Sequence, residues 1–382
     1  MKKILLIHNK YRDLGGEDIA VENEINLLKK TYEVKVLYLY NNFENFTYTF
    51  LSFFTLVNIK SNRLIKKELN KFNPDYVYIH NTWFKVSLGV FKLLEQKKIK
   101  TILKLHNFRY YCTKNFLFSN HLFDNTMCQA CGVSKNSNKL LNVYFKESIL
   151  KSLLVLRYGK KYFNILKFNK IKILVLTNFH RRFLEKLGVD KGKIVTLPNY
   201  LDLSKQKKPL GNERFLLYAG RISEEKGIKE LIYSFLNSNL KNYNLKIVGE
   251  GPYLEEISNS GLPSRVEFLG QRTNREVLDL IEKSYAVVTA TKLYEGQPNL
   301  LCEASSLGKI SIFPDTGGIS EFFPDKYKYS FKQFDYNDLI EKFNLLNNKK
   351  LVEETEIKNK FYIDKFLEKN KIQKIFENVL DE

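Results

Sequence analysis

Cysteine is scarce in this sequence, with four residues in a chain of 382. That is too few for the disulfide framework of a secreted scaffold, so the thiols are expected to be reduced. Long apolar runs are missing as well. The longest membrane-like stretch, TYTFLSFFTLVNI at 47–59, has about 13 residues where a spanning helix needs about 20. The opening MKKILLIHNK sets two lysines before an apolar run. That run covers only Ile4 to Ile7, which reads as a first buried strand rather than an export signal. A cytoplasmic protein is expected. No repeat of roughly 20–50 residues is visible, which argues against a solenoid. Asp-x-Asp is also absent, which argues against a sugar-diphosphate site built on a metal held by that motif and leaves positive side chains to carry leaving-group charge.

What is present is an ordinary globular composition, 44% hydrophobic and 27% charged, long enough for two domains with separate cores. Charge is distributed unevenly. Residues 1–200 hold 35 lysines and arginines against 14 aspartates and glutamates, whereas residues 201–382 hold 27 against 28. The whole excess of +20 therefore belongs to the first half, and a half-molecule this basic implies an acidic partner.

Two stretches carry much of that charge. In 43–72, Phe43, Phe46, Phe50, Phe53 and Phe54 precede Lys60, Arg63, Lys66 and Lys67. In 139–172, Glu147 is the only acid among nine cations interleaved with LLVL and YF. Aromatics beside cations suit an element lying on an anionic membrane, although a helix with an ordinary core stripe would read the same way. No nucleic-acid motif accompanies them.

The first half also shows strand signals. Lys2 to Ile7 leads into the Gly15-Gly16 turn and an amphipathic segment, which puts bare N–H groups at a helix start, suited to a phosphate or a sugar. VKVLYLY at 34–40 is a second strand. YVYIHN at 76–81 and TILKLHN at 101–107 read as parallel strands, each ending in His-Asn. A histidine at the carboxyl end of such a strand faces the ligand crevice, and His106 is the preferred contact, with His80 equally readable as structural. Cys112, Cys128 and Cys131, with His121 nearby, leave a structural zinc site open in an asparagine-rich loop.

A polar segment, LSKQKKPLGNER at 203–214, reads as a linker. Beyond it strands and helices alternate, which means a parallel sheet covered on both faces with ligands outside the strands' carboxyl ends. The loops GRISEEKG, GEGP, LYEGQPN and DTGGISE fall at those ends. Arg221 and Lys226 in the first can straddle a diphosphate. Gly249, Gly251, Gly317 and Gly318 allow close approach of the backbone, and Glu321 is a further carboxylate in the crevice. After the apolar run AVVTAT at 286–291, read as a strand, comes EGQPNLLCE at 295–303, with Pro298 placed at a first helical turn. Glu295 and Glu303 on a wholly helical span would stand roughly 12 Å apart, suited to two parts of one ligand, a sugar and a ribose.

GGED at 15–18, LHN at 105–107, LPNYLD at 197–202, YAGRISEEKG at 218–227, VGEGP at 248–252, EGQPNLLCE and TGGISE together resemble the family 4 retaining glycosyltransferases of the GT-B fold, polysaccharide-assembly members included. The resemblance implies an α/β protein of two Rossmann-like domains with parallel sheets facing a central cleft. Residues 1–202 would bind acceptor, with a last helix in 361–382 packing back on them, and 212–360 would bind a nucleotide-diphosphate sugar. It implies a retaining, metal-independent hexosyltransferase without a cofactor, serving capsule or lipopolysaccharide assembly at the inner membrane face. Arg221 and Lys226 would stabilise the departing diphosphate, Glu303 would hold the ribose and Glu295 the transferred sugar. Gly16 and His106 would line the reaction centre, and Gly249, Gly251, Asn299 and Leu300 would contact the donor. A front-face route, with the donor phosphate helping to deprotonate the acceptor, would need no protein base. The chain departs from the family pattern at Tyr200 and Gln297, which bears on the base pocket and donor sugar. Other readings are a sugar-nucleotide epimerase or hydrolase and an idle sensor or scaffold.

Overall fold

Near-continuous apolar runs build the strands of both sheets, as they must where helices cover each face of a parallel sheet. The computed structural model describes residues 1–10, 16–40, 52, 54–83, 85–108, 127–130, 132, 148–202 and 213–381. The chain divides into two units, Met1–Tyr200 with Lys369–Glu382, and Leu201–Glu368.

In the first unit, β1 (Lys3–Lys10), β2 (Glu33–Tyr40), β3 (Tyr76–Ile79), β4 (Lys100–Leu105), β5 (Lys172–Val175) and β6 (Ile194–Thr196) form one sheet in the order β2-β1-β3-β4-β5-β6. Every neighbouring pair is parallel. Ile4 to Ile7 in its middle are wholly buried. Helices α1 (Gly16–Leu28), α2 (Ile59–Phe72), α3 (Gly89–Gln96), α4 (Ile149–Phe168) and α5 (Asn178–Lys186) lie between successive strands. Their ends follow local chemistry. The Asn58 side chain accepts from the Ser61 N–H to start α2, and Asn73 closes it in the left-handed region. Thr177 caps α5 in the same way, and Gly188 follows its end at φ +84°.

The second unit repeats the plan. β7 (Phe215–Ala219), β8 (Asn244–Val248), β9 (Val266–Gly270), β10 (Ala286–Val288), β11 (Ile310–Asp315) and β12 (Ser330–Lys332) order as β12-β11-β10-β7-β8-β9, again all parallel. α6 (Ile228–Leu236), α7 (Leu254–Ser258), α8 (Asn274–Lys283), α9 (Asn299–Ser306), α10 (Tyr336–Leu345) and α11 (Lys349–Phe366) complete it. In each sheet the strand order reverses once, between β1 and β3 and between β7 and β10. A crevice opens outside the carboxyl ends at such a reversal.

Three expectations differ from the structure. The run AVVTAT pairs in the sheet only over Ala286–Val288, because beyond it the chain must pass the tight turn at Gly227, whose Cα faces the Ala290 carbonyl. Pro298 is the cap of α9 rather than its first helical residue, while Glu295 lies in the loop before it, in keeping with a strand, a loop and a helix start. The tail 361–380 is not one helix either, since α11 ends at Phe366 and a C-terminal helix starts at Lys369. Among the described residues no helix is long and apolar enough to cross a membrane.

Candidate functional site

The strand reversal of the second sheet brings four loops together by backbone bonds. The Ile222 N–H donates to the Glu250 carbonyl at 2.8 Å, the Lys292 N–H to Glu225 at 2.8 Å and the Gly318 N–H to Glu295 at 2.8 Å. The loops after β7, β8, β10 and β11 are thereby stitched into one edge. Glycine makes the stitching possible at two points. Gly249 has φ +135°, and a Cβ there would fall on the Gly220 carbonyl oxygen, while a Cβ at Gly317, φ +62°, would fall on the Glu295 backbone. Any side chain would push the loops apart.

On this edge Lys226 Nζ reaches Glu295 Oε1 at 2.5 Å, and the Thr291 hydroxyl donates to the same oxygen at 3.1 Å. Both charged side chains are 30% exposed, so the pair sits at a wet surface, open to exchange of partners. Arg221 is exposed one turn earlier in the same loop, where the Tyr218 hydroxyl donates to its carbonyl at 2.9 Å. Asn299 and Leu300 begin α9, half-buried. Glu303, one turn further, is half-buried, and its carboxyl has no hydrogen-bond or ion-pair partner among the described residues. Burial pushes its carboxyl up to about 7. Of the expected site residues, the second unit thus gathers Arg221, Lys226, Gly249, Gly251, Glu295, Asn299, Leu300 and Glu303 on loops and a helix end around one strand reversal.

Gly16 and His106 belong to the first unit, at the carboxyl edge of the other sheet. Gly16 is the first residue of α1. His106 follows β4, and its Nε2 lies 3.1 Å from Nδ1 of His80, which follows β3. Burial holds both imidazoles well below their usual range, helped by the neighbouring Lys104 and His8. They are neutral rings at ordinary pH. Beside them, His8 at the end of β1 bonds Asp18 of α1 through Nε2 at 2.8 Å, with both side chains buried. This pair is not among the expected site residues, although His8 carries the same signal as His80 and His106, a histidine near the end of an apolar strand, and Asp18 closes the GGED turn.

Cys112, His121 and Cys131 lie outside the described residues, and Cys128 is buried. Among the described residues no group of three or more possible metal ligands occurs.

Residues 202–362 match the family model of glycosyl transferases group 1. The capsular polysaccharide biosynthesis glycosyltransferase CapM of Staphylococcus aureus is 28% identical over 213 residues, 52% of this chain and 53% of that protein. An uncharacterized glycosyltransferase of Bacillus subtilis, YqgM, is 27% identical over 157 residues, 39% of this chain and 44% of that one. The matched region spans about half the length of these relatives. Among solved structures, HepE of Anabaena in complex with UDP-glucose superposes over 100% of both chains with a TM-score of 0.71 at 14% identity. The chain therefore shares the GT-B fold, with two parallel six-stranded sheets flanked by helices, and residues 202–362 match the glycosyl transferases group 1 model.

Proposed function

We propose that the protein transfers a hexose, with retention and without a metal, from a nucleoside-diphosphate donor to a lipid-linked or cell-surface polysaccharide acceptor. One observation carries the donor half of this reading. At the strand reversal of the second sheet, an exchangeable Lys226–Glu295 pair and an exposed Arg221 stand on mutually bonded loops, and the helix that follows bears the half-buried Glu303, whose carboxyl has no partner among the described residues. A nucleotide sugar satisfies all four groups. Its diphosphate draws Lys226 and Arg221, which neutralise the charge of the leaving group. Its ribose hydroxyls supply the donors that Glu303 lacks. Glu295, released from Lys226, accepts from hydroxyls of the sugar. Gly249 and Gly251 allow the backbone to approach the nucleotide, and Asn299 and Leu300 begin the helix beneath it.

His106, held as a neutral ring beside His80, is suited to a hydrogen bond with an uncharged hydroxyl rather than to charge stabilisation. The donor phosphate takes the acceptor proton, so the scheme needs no protein base. The metal-independent reading rests on the missing Asp-x-Asp and on the cations that replace it. HepE is solved with UDP-glucose, which puts UDP-sugars first among donors to try. The name of CapM and the basic first half support an acceptor and an enzyme at the anionic inner face of the membrane.

A thermal-shift series with UDP, GDP, ADP and their sugars tests the donor site. One nucleotide is expected to raise the melting temperature by several degrees, and Lys226→Ala is expected to abolish the rise. Absence of any rise would replace catalysis with a scaffold role. Full-rate donor cleavage without acceptor would replace transfer with hydrolysis.

A further inference from the structure

Twelve large hydrophobic side chains are exposed in the described protein, and half of them lie on or next to two helices of the first unit: Phe54, Ile59, Leu64, Leu150, Leu153 and Phe168. The same helices are basic. Arg63, Lys66, Lys67 and Lys71 are exposed on α2, and Arg157, Lys160 and Lys161 on α4. The only carboxylate in either helix is Glu68, and it is ion-paired with Lys35 at 2.5 Å. On α4, Leu150, Leu153, Arg157, Lys160 and Lys161 recur at helical spacing, so they share its outer face.

The two helices belong to one layer. Gly89 at the start of α3 packs against Asn62 and Val57 beside α2, and Phe91 of α3 meets Tyr162 of α4 with ring centroids 6.3 Å apart. The Arg157 guanidinium lies over the Phe54 ring at 4.9 Å. Helices that join parallel strands run back against them, so the N-terminal ends of α2 and α4 stand at the sheet's carboxyl edge. Phe54 and Ile59 lie at the first of these ends, Leu150 and Leu153 at the second. That is the edge on which His80 and His106 sit.

We infer that the outer face of α2 and α4, where it adjoins this edge of the first unit, docks on an anionic lipid bilayer, with Phe54, Ile59, Leu150 and Leu153 entering the interface and the cations of that face resting on lipid phosphates. A nucleic-acid backbone would satisfy the cations and leave the leucines in water. A bilayer satisfies both, since rings and branched chains sit below the headgroups that the cations contact. The orientation also brings the histidine-bearing edge to the surface from which a lipid-linked acceptor would rise. This deepens the membrane part of the function proposed above and is tested without donor or acceptor.

The experiment is sedimentation of the full chain with vesicles rich in phosphatidylglycerol and with vesicles of phosphatidylcholine alone. The chain is expected to bind the first and not the second. Leu150→Glu with Leu153→Glu is expected to weaken binding at least roughly tenfold. Arg157→Gln with Lys160→Gln and Lys161→Gln is expected to weaken it and flatten its salt dependence. Ile357→Glu with Phe361→Glu, on α11 of the second unit where both residues are 72% exposed, is expected to leave it unchanged. Melting curves and the nucleotide-induced shift on the same proteins show that each is folded and keep this inference separate from sugar transfer. It is overturned if phosphatidylglycerol vesicles are not bound, if the leucine pair and the α11 pair lose binding equally, or if the leucine pair binds as wild type while single-stranded RNA competes all lipid away.

Discussion

Glu303, the carboxylate proposed above to hold the ribose, shows what burial without a partner costs. The folded protein holds its proton to about pH 7, whereas the ordinary value is 4.5. The carboxyl therefore costs nothing below the lower value, and the cost grows as pH rises to the upper one and then stays. At pH 8 it amounts to about 1–3 kcal/mol. Glu303→Gln removes the charge and keeps the shape, so the variant is expected to melt above the wild type at pH 8 and level with it near pH 4.5. Its nucleotide affinity is expected to fall about tenfold, because an amide offers one accepting oxygen instead of two. Melting curves across that range decide the matter, and a variant less stable than wild type at pH 8 would mean that the carboxylate has a stabilising partner. Lys226 makes the opposite case. Its pair with Glu295 is about a third exposed and worth no more than about 1 kcal/mol. Lys226→Ala is therefore expected to leave the ligand-free melting point within about 3 °C of wild type while erasing the nucleotide-induced rise. A large fall without ligand would make the pair structural.

At the scale of elements, the glycine turns were legible because a strand followed by glycine is a local pattern. Each of the loops containing Gly220, Gly249 and Gly317 stands where an apolar run ends. Their convergence was expected from alternation alone. The strand order that creates the crevice is a tertiary fact. The Lys226–Glu295 pair spans 69 positions of sequence, so no window over the chain could reveal it. The eight-residue spacing of Glu295 and Glu303 gives roughly 12 Å only on a wholly helical span, and proline suits a first turn. Here Pro298 is the cap, with φ −84° and ψ 83°, so a loop carries the first carboxylate and a helix the second. That separation lets the two acids be held independently, one by a side-chain pair and one by burial. The stitching predicts the effect of a single methyl group. Gly249→Ala places a Cβ on the Gly220 carbonyl oxygen at a φ that alanine avoids. It is expected to cost about 1–3 kcal/mol or more and to abolish the nucleotide-induced shift. Wild-type stability and nucleotide response in that variant would show that the loops can part without consequence.

For the whole molecule, charge and chain path were legible to different depths. The excess of positive charge in residues 1–200 needs only counting, and it coincides with one structural unit. The path of the tail was less accessible, because an amphipathic pattern over 361–380 does not announce the break after Phe366. The two sides of that break have different partners. Before it, the Tyr362 hydroxyl donates to the Glu321 carbonyl at 3.1 Å and the Asn359 amide to the Ser305 hydroxyl at 2.6 Å, both in the second unit. After it, Phe376 lies against Tyr78 and Tyr32 with centroids 5.3 and 6.1 Å away. The Tyr76 hydroxyl donates to the Leu380 carbonyl, and Lys2 pairs with Asp381 at 2.6 Å. The last thirteen helical residues are thus part of the first unit's core, although 168 residues of the second unit separate them from Tyr200. Phe376 is 2% exposed, so Phe376→Ala is expected to cost about 3–5 kcal/mol. That cost should fall on the first unit. Hydrogen exchange is expected to quicken in β1 and β3 while β7, β8 and β10 keep their protection and the nucleotide-induced shift persists. Equal acceleration in both sheets would sink the expectation, since it would mean that the chain opens as one cooperative block and that the C-terminal helix guards both units together.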